Sequence, residues 1–384
     1  MSNVSRREFL RRTQTAAVGV GMSGILWQQA MANATAKTPT DSWTLFRGDE
    51  YATGVTSSCL PDEPKMLWKY EVKNGAFEAT PVIKDGICYV PDLDGVLHAI
   101  QLSDGKSKWT KKTNAFAFAA SPALKDDRIF VGDIDGLFYC YNLAGEEQWK
   151  FETQAEINSS ACFYDGKVLF GSQDATLYCV DQNNGKLAWK IEVQDQIRCS
   201  PTVVQDRSFV AGCDGHLHII DLKEGKETAA VEIGSPTGAT PAVMGDHVFF
   251  GTYGGDIFKI DWKQAKVKWR FTDERRREIR SSVALSEKML VIGSRGKIVY
   301  GIDPESGKEK WRFDKAKRGI DSSPLICCDR VFVAATDGRA YLLDLMSGEE
   351  VWKKETGGGF TGSPAVVDNK LIIASDDGVV YCFG

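Results

Sequence analysis

The stretch SPLICCDRVFVAATDGRAYLLDLMSGEEVW, residues 323–352, contains one complete unit of a repeated pattern. A short apolar segment follows the Ser-Pro pair, and a β-rich segment spans Val331 to Ala334. The turn Asp337-Gly338 comes next, then a third segment that ends in Tyr341-x-x-Asp344, and a glycine turn leads to Trp352. Glycine accepts the positive φ that tight hairpin turns need. The stretch therefore predicts four short antiparallel strands joined by turns.

The same unit recurs along the chain at intervals of 39 to 42 residues. Each unit begins with a Ser or Thr that is followed by Pro or a small apolar residue; the eight hydroxyl residues are Thr80, Ser121, Ser160, Ser200, Thr240, Ser282, Ser323 and Ser363. Four short strands in about forty residues are the layout of a propeller blade. No unit shows an amphipathic helical period, which excludes βαβ folds. A parallel β-helix is the weaker alternative, because its repeats are shorter.

The two ends of the repeat array complement each other. The last unit stops after its third strand, at Tyr381-Cys382-Phe383-Gly384. Leu67-Trp68-Lys69-Tyr70 precedes the first unit at the spacing of a fourth strand. Residues 67–384 are therefore predicted to form an all-β, eight-bladed β-propeller of four-stranded antiparallel blades, closed by pairing the N-terminal strand with the last blade.

The N-terminus has the features of a targeting segment. Ser5-Arg6-Arg7-Glu8-Phe9-Leu10 is followed by an apolar stretch from Ala16 to Trp27 and by the small residues Ala32-Asn33-Ala34. The motif resembles a twin-arginine signal, which implies a periplasmic or extracytoplasmic protein exported by that pathway. The apolar stretch is too short and too glycine-rich to span a bilayer well. We expect a signal peptide over residues 1–34 and a lead-in segment over residues 35–66.

Composition limits the classes of partner. The 384 residues carry a net charge of −5 with both signs interspersed, so a nucleic-acid partner is not expected. Hydrophobic residues make up 43% of the chain, which is enough for a packed core. The mature chain is expected to be a monomer without a transmembrane segment.

The motif Gly-Lys-x-x-Trp links the repeat to a known family. It occurs at Gly105–Trp109, Gly185–Trp189 and Gly307–Trp311. It resembles the tryptophan-docking repeat of pyrroloquinoline-quinone (PQQ) dehydrogenases and of BamB-type propellers, which assist outer-membrane protein assembly; the resemblance covers residues 43–384, including the opening Trp43–Asp49. It implies that each fourth-strand tryptophan packs against the glycine turn of the next blade, a structural role for Trp68, Trp109, Trp149, Trp189, Trp269, Trp311 and Trp352.

The two groups of proteins that the repeat resembles differ in function. PQQ dehydrogenases are longer, with insertions that supply calcium ligands and a catalytic Asp, and this sequence has short loops and no matching set of residues. It is similar to BamB in size and blade number, but it lacks a lipid-anchored N-terminus. We therefore expect an exported, non-catalytic scaffold that binds envelope proteins, with no cofactor, no metal and no catalytic residue. The alternatives are a small oxidoreductase dependent on PQQ and calcium, and a receptor for a carbohydrate or another small molecule in the funnel.

The candidate binding residues lie two positions before the repeated hydroxyl. Period-two alternation puts both positions on one side of the innermost strand. The hydroxyls are expected to satisfy backbone groups at the strand start. The earlier position varies, and we expect its polar members to line the funnel mouth and bind a polar ligand or a partner loop, unless they only pair with one another. These members are Glu78, Asn158, Arg198, Arg280 and Asp321.

Cysteines offer a second set of candidates. Cys327-Cys328 is tempting because PQQ methanol dehydrogenases carry a vicinal disulfide, but the pair aligns with the turn at Lys84-Asp85, which disfavours a cofactor role. Cys140, Cys179 and Cys382 share one repeat position. Equivalent points on neighbouring sheets lie about 10 Å apart, too far for a disulfide. These thiols are expected to be buried apolar side chains.

The remaining candidates are histidines and a run of arginines. His216 and His218 alternate on one strand and could chelate zinc, yet His98 shares the repeat position of His218, where other units place Tyr, so packing is the simpler interpretation. Arg275-Arg276-Arg277 lies between blades five and six and is expected to be a solvated loop, with a partner-binding patch as the second reading.

Overall fold

The computed structural model describes residues 42–384, and every regular element in that range is a β-strand. The expected signal peptide and the first residues of the lead-in segment lie outside the described residues. Within the described part of the chain, no helix is long and apolar enough to cross a membrane.

The strands form eight sheets, numbered here as blades in chain order. Two strands precede the first blade: β1 (Val55–Thr56) and β2 (Met66–Glu71). Blade 1 contains β3 (Val82–Lys84), β4 (Ile87–Pro91), β5 (Val96–Gln101) and β6 (Ser107–Lys112). Blade 2 contains β7 (Ala123–Lys125), β8 (Arg128–Gly132), β9 (Leu137–Asn142) and β10 (Glu147–Glu152). Blade 3 contains β11 (Cys162–Tyr164), β12 (Lys167–Ser172), β13 (Thr176–Asp181) and β14 (Leu187–Glu192). Blade 4 contains β15 (Thr202–Val204), β16 (Arg207–Ala211), β17 (His216–Asp221) and β18 (Lys226–Glu232).

The second half of the ring repeats this plan. Blade 5 contains β19 (Ala242–Met244), β20 (His247–Gly251), β21 (Asp256–Asp261) and β22 (Lys266–Thr272). Blade 6 contains β23 (Ala284–Leu285), β24 (Leu290–Gly293), β25 (Val299–Ile302) and β26 (Glu309–Phe313). Blade 7 contains β27 (Leu325–Cys327), β28 (Arg330–Ala334), β29 (Arg339–Asp344) and β30 (Glu350–Glu355). Blade 8 contains β31 (Ala365–Val367), β32 (Lys370–Ala374) and β33 (Val379–Phe383).

The ring closes as the sequence predicts. The fourth strand of blade 8 is β2, which pairs antiparallel with β33, so that Trp68 faces Cys382. The chain ends are fastened further by two backbone hydrogen bonds between Lys65 and Gly384, of 2.9 and 3.0 Å. The prediction of an eight-bladed propeller with this closure is confirmed.

The hydrophobic core lies between neighbouring sheets. Phe138 of blade 2 stacks on Phe170 of blade 3 with ring centroids 3.8 Å apart. Towards the outer edge, six of the seven fourth-strand tryptophan rings lie against the glycine turn of the following blade, whereas Trp352 packs against Phe383 of blade 8. At Gly185, where φ is +69°, an added Cβ would come within 2.5 Å of the Trp149 ring. Only glycine therefore allows the ring to approach this closely. The same contact joins Trp68, Trp109, Trp189, Trp269 and Trp311 to Gly105, Gly145, Gly225, Gly307 and Gly348.

Residues 43–56, called the strap below, cross one end of the central channel. Strap carbonyl oxygens accept hydrogen bonds of 2.7 to 2.9 Å from the innermost strands of five blades. The donor N–H groups belong to Ile83, Leu124, Val243, Leu285 and Ile326, and the acceptors to Trp43, Thr44, Tyr51, Thr53 and Gly54. Each donor lies three residues after the repeated hydroxyl of its blade, further along the innermost strand. The strap therefore covers the end of the channel opposite the funnel mouth.

Arg47 anchors the strap. Its guanidinium is buried and donates to the carbonyl oxygens of Val283, at 3.1 Å, and Pro324. Burial lowers the pKa of Arg47 to about 9. A side chain at Gly54 would collide with the guanidinium, since an added Cβ would come within 1.8 Å of an Arg47 nitrogen. Arg47 thereby joins the strap to blades 6 and 7.

The cysteines are divided between buried thiols and one disulfide. Cys140, Cys179 and Cys382 are buried and free, as predicted. Cys328 lies in the turn after β27, as expected, but it forms a disulfide with Cys59, with the Cα atoms 5.3 Å apart. The sequence reading missed this bond because the two cysteines are 269 residues apart and no repeat spacing relates them. The disulfide fixes the chain after the strap to blade 7.

Candidate functional site

The central channel opens at the end opposite the strap as a funnel of about 250 Å³. Phe46 of the strap forms part of its lining, together with the inner strands of the blades. All five polar candidates, Glu78, Asn158, Arg198, Arg280 and Asp321, line this one cavity.

The repeated hydroxyls form a ring of hydrogen bonds below the mouth. Each of seven hydroxyl oxygens accepts the backbone N–H of the equivalent residue in the preceding blade, at 2.8 to 3.0 Å. The ring closes between blades 8 and 1, where Thr80 Oγ1 accepts from Ser363 N–H at 2.9 Å. The hydroxyls thus satisfy backbone groups at the strand starts, and the groups belong to neighbouring blades.

A second ring surrounds the mouth. In every blade, one residue of the turn between the second and third strands donates its backbone N–H to a carbonyl oxygen in the segment that leads into the same blade. In blade 1, Leu93 donates to Ala76 at 2.9 Å. The eight residues, called the mouth ring below, are Leu93, Ile134, Gln173, Cys213, Tyr253, Arg295, Thr336 and Asp376. They occupy the position just before the Asp-Gly turn and its variants, which was not among the positions predicted from the sequence. Several of them contact the predicted candidates.

The basic side of the mouth lies on blades 4 to 6. Arg280 donates from Nε to Glu278 Oε1 at 2.8 Å, and its guanidinium carbon lies 5.7 Å from the centre of the Tyr253 ring. Arg295 makes a bidentate pair with Asp321, with nitrogen–oxygen distances of 3.0 and 2.7 Å. Neither ion pair joins two of the five candidates, since Arg280 pairs with Glu278 and Asp321 with Arg295.

Arg198 is held differently from the other two arginines. Its Nε donates to Gln196 Oε1 at 3.0 Å, and one terminal nitrogen donates to Gln173 Oε1 at 3.1 Å. Gln173 in turn donates to the amide oxygen of Asn158 at 3.3 Å. Within residues 42–384, no carboxylate lies within ion-pair distance of Arg198. Neutral amides therefore orient this guanidinium, and its charge is not compensated by an adjacent carboxylate.

The acidic side lies on blades 8 and 1. Partial burial in the funnel raises the pKa of Glu78, and the nearby carboxylate of Asp376 raises it further. Asp376 itself accepts the backbone N–H of Gly359 at 2.6 Å. The two carboxylates form an electronegative side of the mouth.

The sector over blades 1 and 2 is apolar. Ala119 lines the funnel, and Leu93 and Ile134 occupy the mouth ring there. Phe116, in the connection between these blades, is 67% exposed. The mouth is thus divided into apolar, basic and acidic sectors.

The histidines take the place of tyrosines in a buried hydrogen-bonding pattern. His98 bonds through Nε2 to Asp92 at 2.9 Å and through Nδ1 to the Tyr70 hydroxyl at 3.0 Å. His218 bonds to Asp214 at 3.0 Å, where Tyr178 in blade 3 bonds to Asp174 at 2.8 Å. The His or Tyr side chain at this repeat position therefore hydrogen-bonds to an aspartate between the second and third strands of its blade. No group of three or more metal-ligating side chains is arranged to hold an ion in the described part of the chain.

The funnel lining does not fit a calcium ion that would hold a quinone. Calcium takes about six to eight oxygen ligands. The carboxylates that line the cavity are Glu78 and Asp321, which belong to the inner ends of blades 1 and 7. Asp321 is already neutralised by its bidentate pair with Arg295.

Comparison with known proteins gives a family and several similar structures. The model of the family described as outer membrane protein assembly factor BamB matches residues 17–158, 134–272 and 295–383. BamB from Moraxella catarrhalis is 16% identical, with a TM-score of 0.72 over 83% of this chain and 99% of that one. The computationally designed Ika8 protein is 17% identical, with a TM-score of 0.75 over 83% and 99%. Quinohemoprotein alcohol dehydrogenase from Comamonas testosteroni is 14% identical, with a TM-score of 0.77 over 90% and 81%. No curated protein matches the chain. At these identities the structures agree in fold alone.

Proposed function

Because this chain belongs to the family of outer membrane protein assembly factor BamB, we propose that it is an exported scaffold that binds protein partners in the cell envelope. Its binding surface is the face that carries the funnel mouth. The proposal concerns binding, and it assigns no catalytic residue.

The observation that carries the proposal is the difference between the two ends of the channel. The strap covers one end with backbone hydrogen bonds to five blades. The other end stays open as a cavity whose rim carries charged, polar and apolar side chains. A protein surface that combines an exposed aromatic side chain with a polar rim is typical of partner recognition. Phe116, at 67% exposure, is such a side chain.

A partner segment also suits the dimensions of the mouth better than an enclosed small molecule. The cavity of about 250 Å³ is open to solvent, and its lining is rich in hydroxyl and charged groups. Small-molecule sites are typically enclosed and mostly apolar. A loop or a side chain of a partner would fill the mouth while the surrounding rim contacts the rest of the partner.

The test is site-specific cross-linking in the native envelope. A photoreactive phenylalanine at Phe116 should cross-link a defined envelope protein, whereas the same residue at Leu187, an exposed apolar position on the outer strand β14, should not. The cross-linked protein is identified by mass spectrometry.

A parallel titration of the full chain with PQQ and Ca²⁺ tests the oxidoreductase alternative. Saturable binding with a raised melting temperature, together with no cross-link at Phe116, would contradict the scaffold proposal.

A further inference from the structure

The basic side of the mouth contains a guanidinium that lacks a partner of opposite charge. Arg198 is exposed and is fixed by two glutamine oxygens, so its orientation is set without neutralising its charge. By contrast, Arg280 is paired with Glu278, and Arg295 with Asp321. Of these three guanidinium groups, Arg198 is therefore the one without a carboxylate at ion-pair distance in residues 42–384.

A phenol hydroxyl lies beside the lining position of blade 5, which is glycine. A Cβ at Gly238 would come within 2.5 Å of Tyr253 Oη and within 3.3 Å of Arg198 Cβ. The missing side chain makes room for the Tyr253 hydroxyl, which makes no hydrogen bond to another group in residues 42–384. Burial raises the pKa of Tyr253, with Arg198 and Arg280 opposing the shift, so the hydroxyl is a protonated donor at neutral pH.

The third member of the group is Arg280 on blade 6. Its guanidinium carbon lies over the Tyr253 ring, 5.7 Å from the ring centre. Guanidinium groups stacked on an aromatic ring keep their edge donors free for a ligand. Arg198, Tyr253 and Arg280, from blades 4, 5 and 6, thus line the same cavity as Gly238.

We propose that Arg198, Tyr253 and Arg280 form a cradle for a carboxylate, and that its ligand is an Asp or Glu side chain of the protein partner. This inference rests on the proposed scaffold function and names the chemistry of the segment that enters the funnel. A carboxylate accepts hydrogen bonds from guanidinium and hydroxyl donors at once.

The charge balance selects a monovalent anion. The cradle has one uncompensated positive charge, at Arg198, which a single carboxylate neutralises. A phosphate dianion would leave excess negative charge in a mouth whose opposite side already carries Glu78 and Asp376. Blade 1, which supplies Glu78, lies diametrically across the eight-membered ring from blade 5. This arrangement repels a second negative charge and favours an acidic side chain that approaches from the basic side.

The experiment is a calorimetric titration of the full chain with blocked tripeptides at low salt. The peptide acetyl-Gly-Glu-Gly-amide should bind at least about tenfold more tightly than acetyl-Gly-Gln-Gly-amide, since a charge-assisted hydrogen bond contributes about 1.5 kcal/mol or more. Arg198→Gln should remove this preference, and Tyr253→Phe should weaken Glu-peptide binding about threefold to tenfold. Inorganic phosphate should bind more weakly than the Glu peptide.

The matched control is Arg128→Gln, which removes a half-buried arginine that bonds Gln182 and Asn183 far from the mouth. It should bind both peptides as the wild type does. If Arg198→Gln fails to fold, Arg198→Lys serves instead and should retain part of the preference, because lysine keeps the charge but loses the fork of donors.

Equal affinity for the Glu and Gln peptides, or tighter binding of phosphate, would overturn the cradle. The scaffold proposal is judged separately by the cross-link at Phe116. A cross-link that persists without any peptide preference leaves the scaffold standing and removes only the cradle.

Discussion

Lys259 places a buried ammonium group where the neighbouring blades carry small or apolar side chains. It lies opposite Trp269 in the register of blade 5, as Ala99 lies opposite Trp109 in blade 1. Its Nζ is nearly inaccessible to solvent and contacts Glu305 of blade 6 at 2.5 Å. An ion pair of this kind can stabilise less than an apolar contact, while a broken pair leaves a buried charge.

These facts predict opposite effects for the two partners. Glu305→Gln should lower the free energy of unfolding by about 1–2 kcal/mol, because it leaves the ammonium uncompensated. Lys259→Met should leave stability unchanged or raise it, and the double variant should match Lys259→Met. Urea unfolding of the four proteins measures the cycle. A loss of stability in Lys259→Met as large as in Glu305→Gln would contradict the prediction.

Aspartates in the outer turns make the fold sensitive to acid. Asp303 accepts hydrogen bonds from Ser306 N–H at 2.8 Å and from its hydroxyl at 2.9 Å, and these bonds lower the pKa of Asp303 to about 2. The equivalent Asp221 and Asp344 also have lowered pKa values, through backbone hydrogen bonds at the same turn.

Because the pKa of Asp303 is lower in the folded state, its carboxylate stabilises the fold at pH values above the ordinary pKa of 3.8. This contribution is lost as the pH falls towards about 2. The stability of the wild type should therefore decline over that window. Asp303→Asn keeps an acceptor oxygen but does not titrate, so its stability should fall less steeply. Unfolding free energies measured across the window check the prediction, and equal slopes would refute it.

Among the elements, blade 4 departs from the repeat, and blade 5 supplies the tryptophan that blade 4 lacks. Its outer strand has Ala229 at the tryptophan position. The turn of blade 5 supplies Trp262, whose ring lies 5.6 Å from Phe209 of blade 4, and Ala265 replaces the usual glycine. The tryptophan has moved from the strand to the facing turn, and the contact between the blades is kept.

Removal of this turn tryptophan should weaken the contact between blades 4 and 5. Trp262→Ala should lower the free energy of unfolding by about 1–3 kcal/mol, because a partly buried ring is lost. Adding Ala229→Trp and Ala265→Gly to this variant should restore part of the lost stability. The two changes rebuild the contact between a strand tryptophan and a glycine turn that other blades have. Lys266→Ala, on the exposed surface of β22, is the control and should change stability by less than about 0.5 kcal/mol. Denaturant unfolding gives all four values.

The elements predictable from the sequence are those specified by local signals. Asp-Gly turns and alternating strands recur at fixed spacing, so the blades and the position of Trp109 follow from the pattern. The strap could not be predicted, because Trp43 to Gly54 bond to strands far along the chain through backbone groups that carry no sequence signature. At the candidate site, alternation located Arg198 and Arg280. It could not reveal that Tyr253 stands beside Gly238, since that contact joins a turn to a strand start.

For the whole molecule, the disulfide between Cys59 and Cys328 is the longest covalent constraint on the ring. It restricts the unfolded chain over a loop of 269 residues, so its removal should be costly. Cys59→Ser should lower the free energy of unfolding by about 2–5 kcal/mol under oxidising conditions. In a reducing agent the wild type and the variant should unfold alike. A variant as stable as the oxidised wild type would show that the bond contributes nothing.

The pairing of β2 with β33 also sets an order of events during synthesis. The strand that completes blade 8 leaves the ribosome before any blade, whereas its partner β33 leaves after blades 1 to 7. Contacts so distant along the chain form slowly. Seven blades can therefore assemble while β2 still lacks its partner and remains exposed to pairing with another chain. During this interval the backbone N–H and C=O groups of β2 that later bond to β33 have no strand partner.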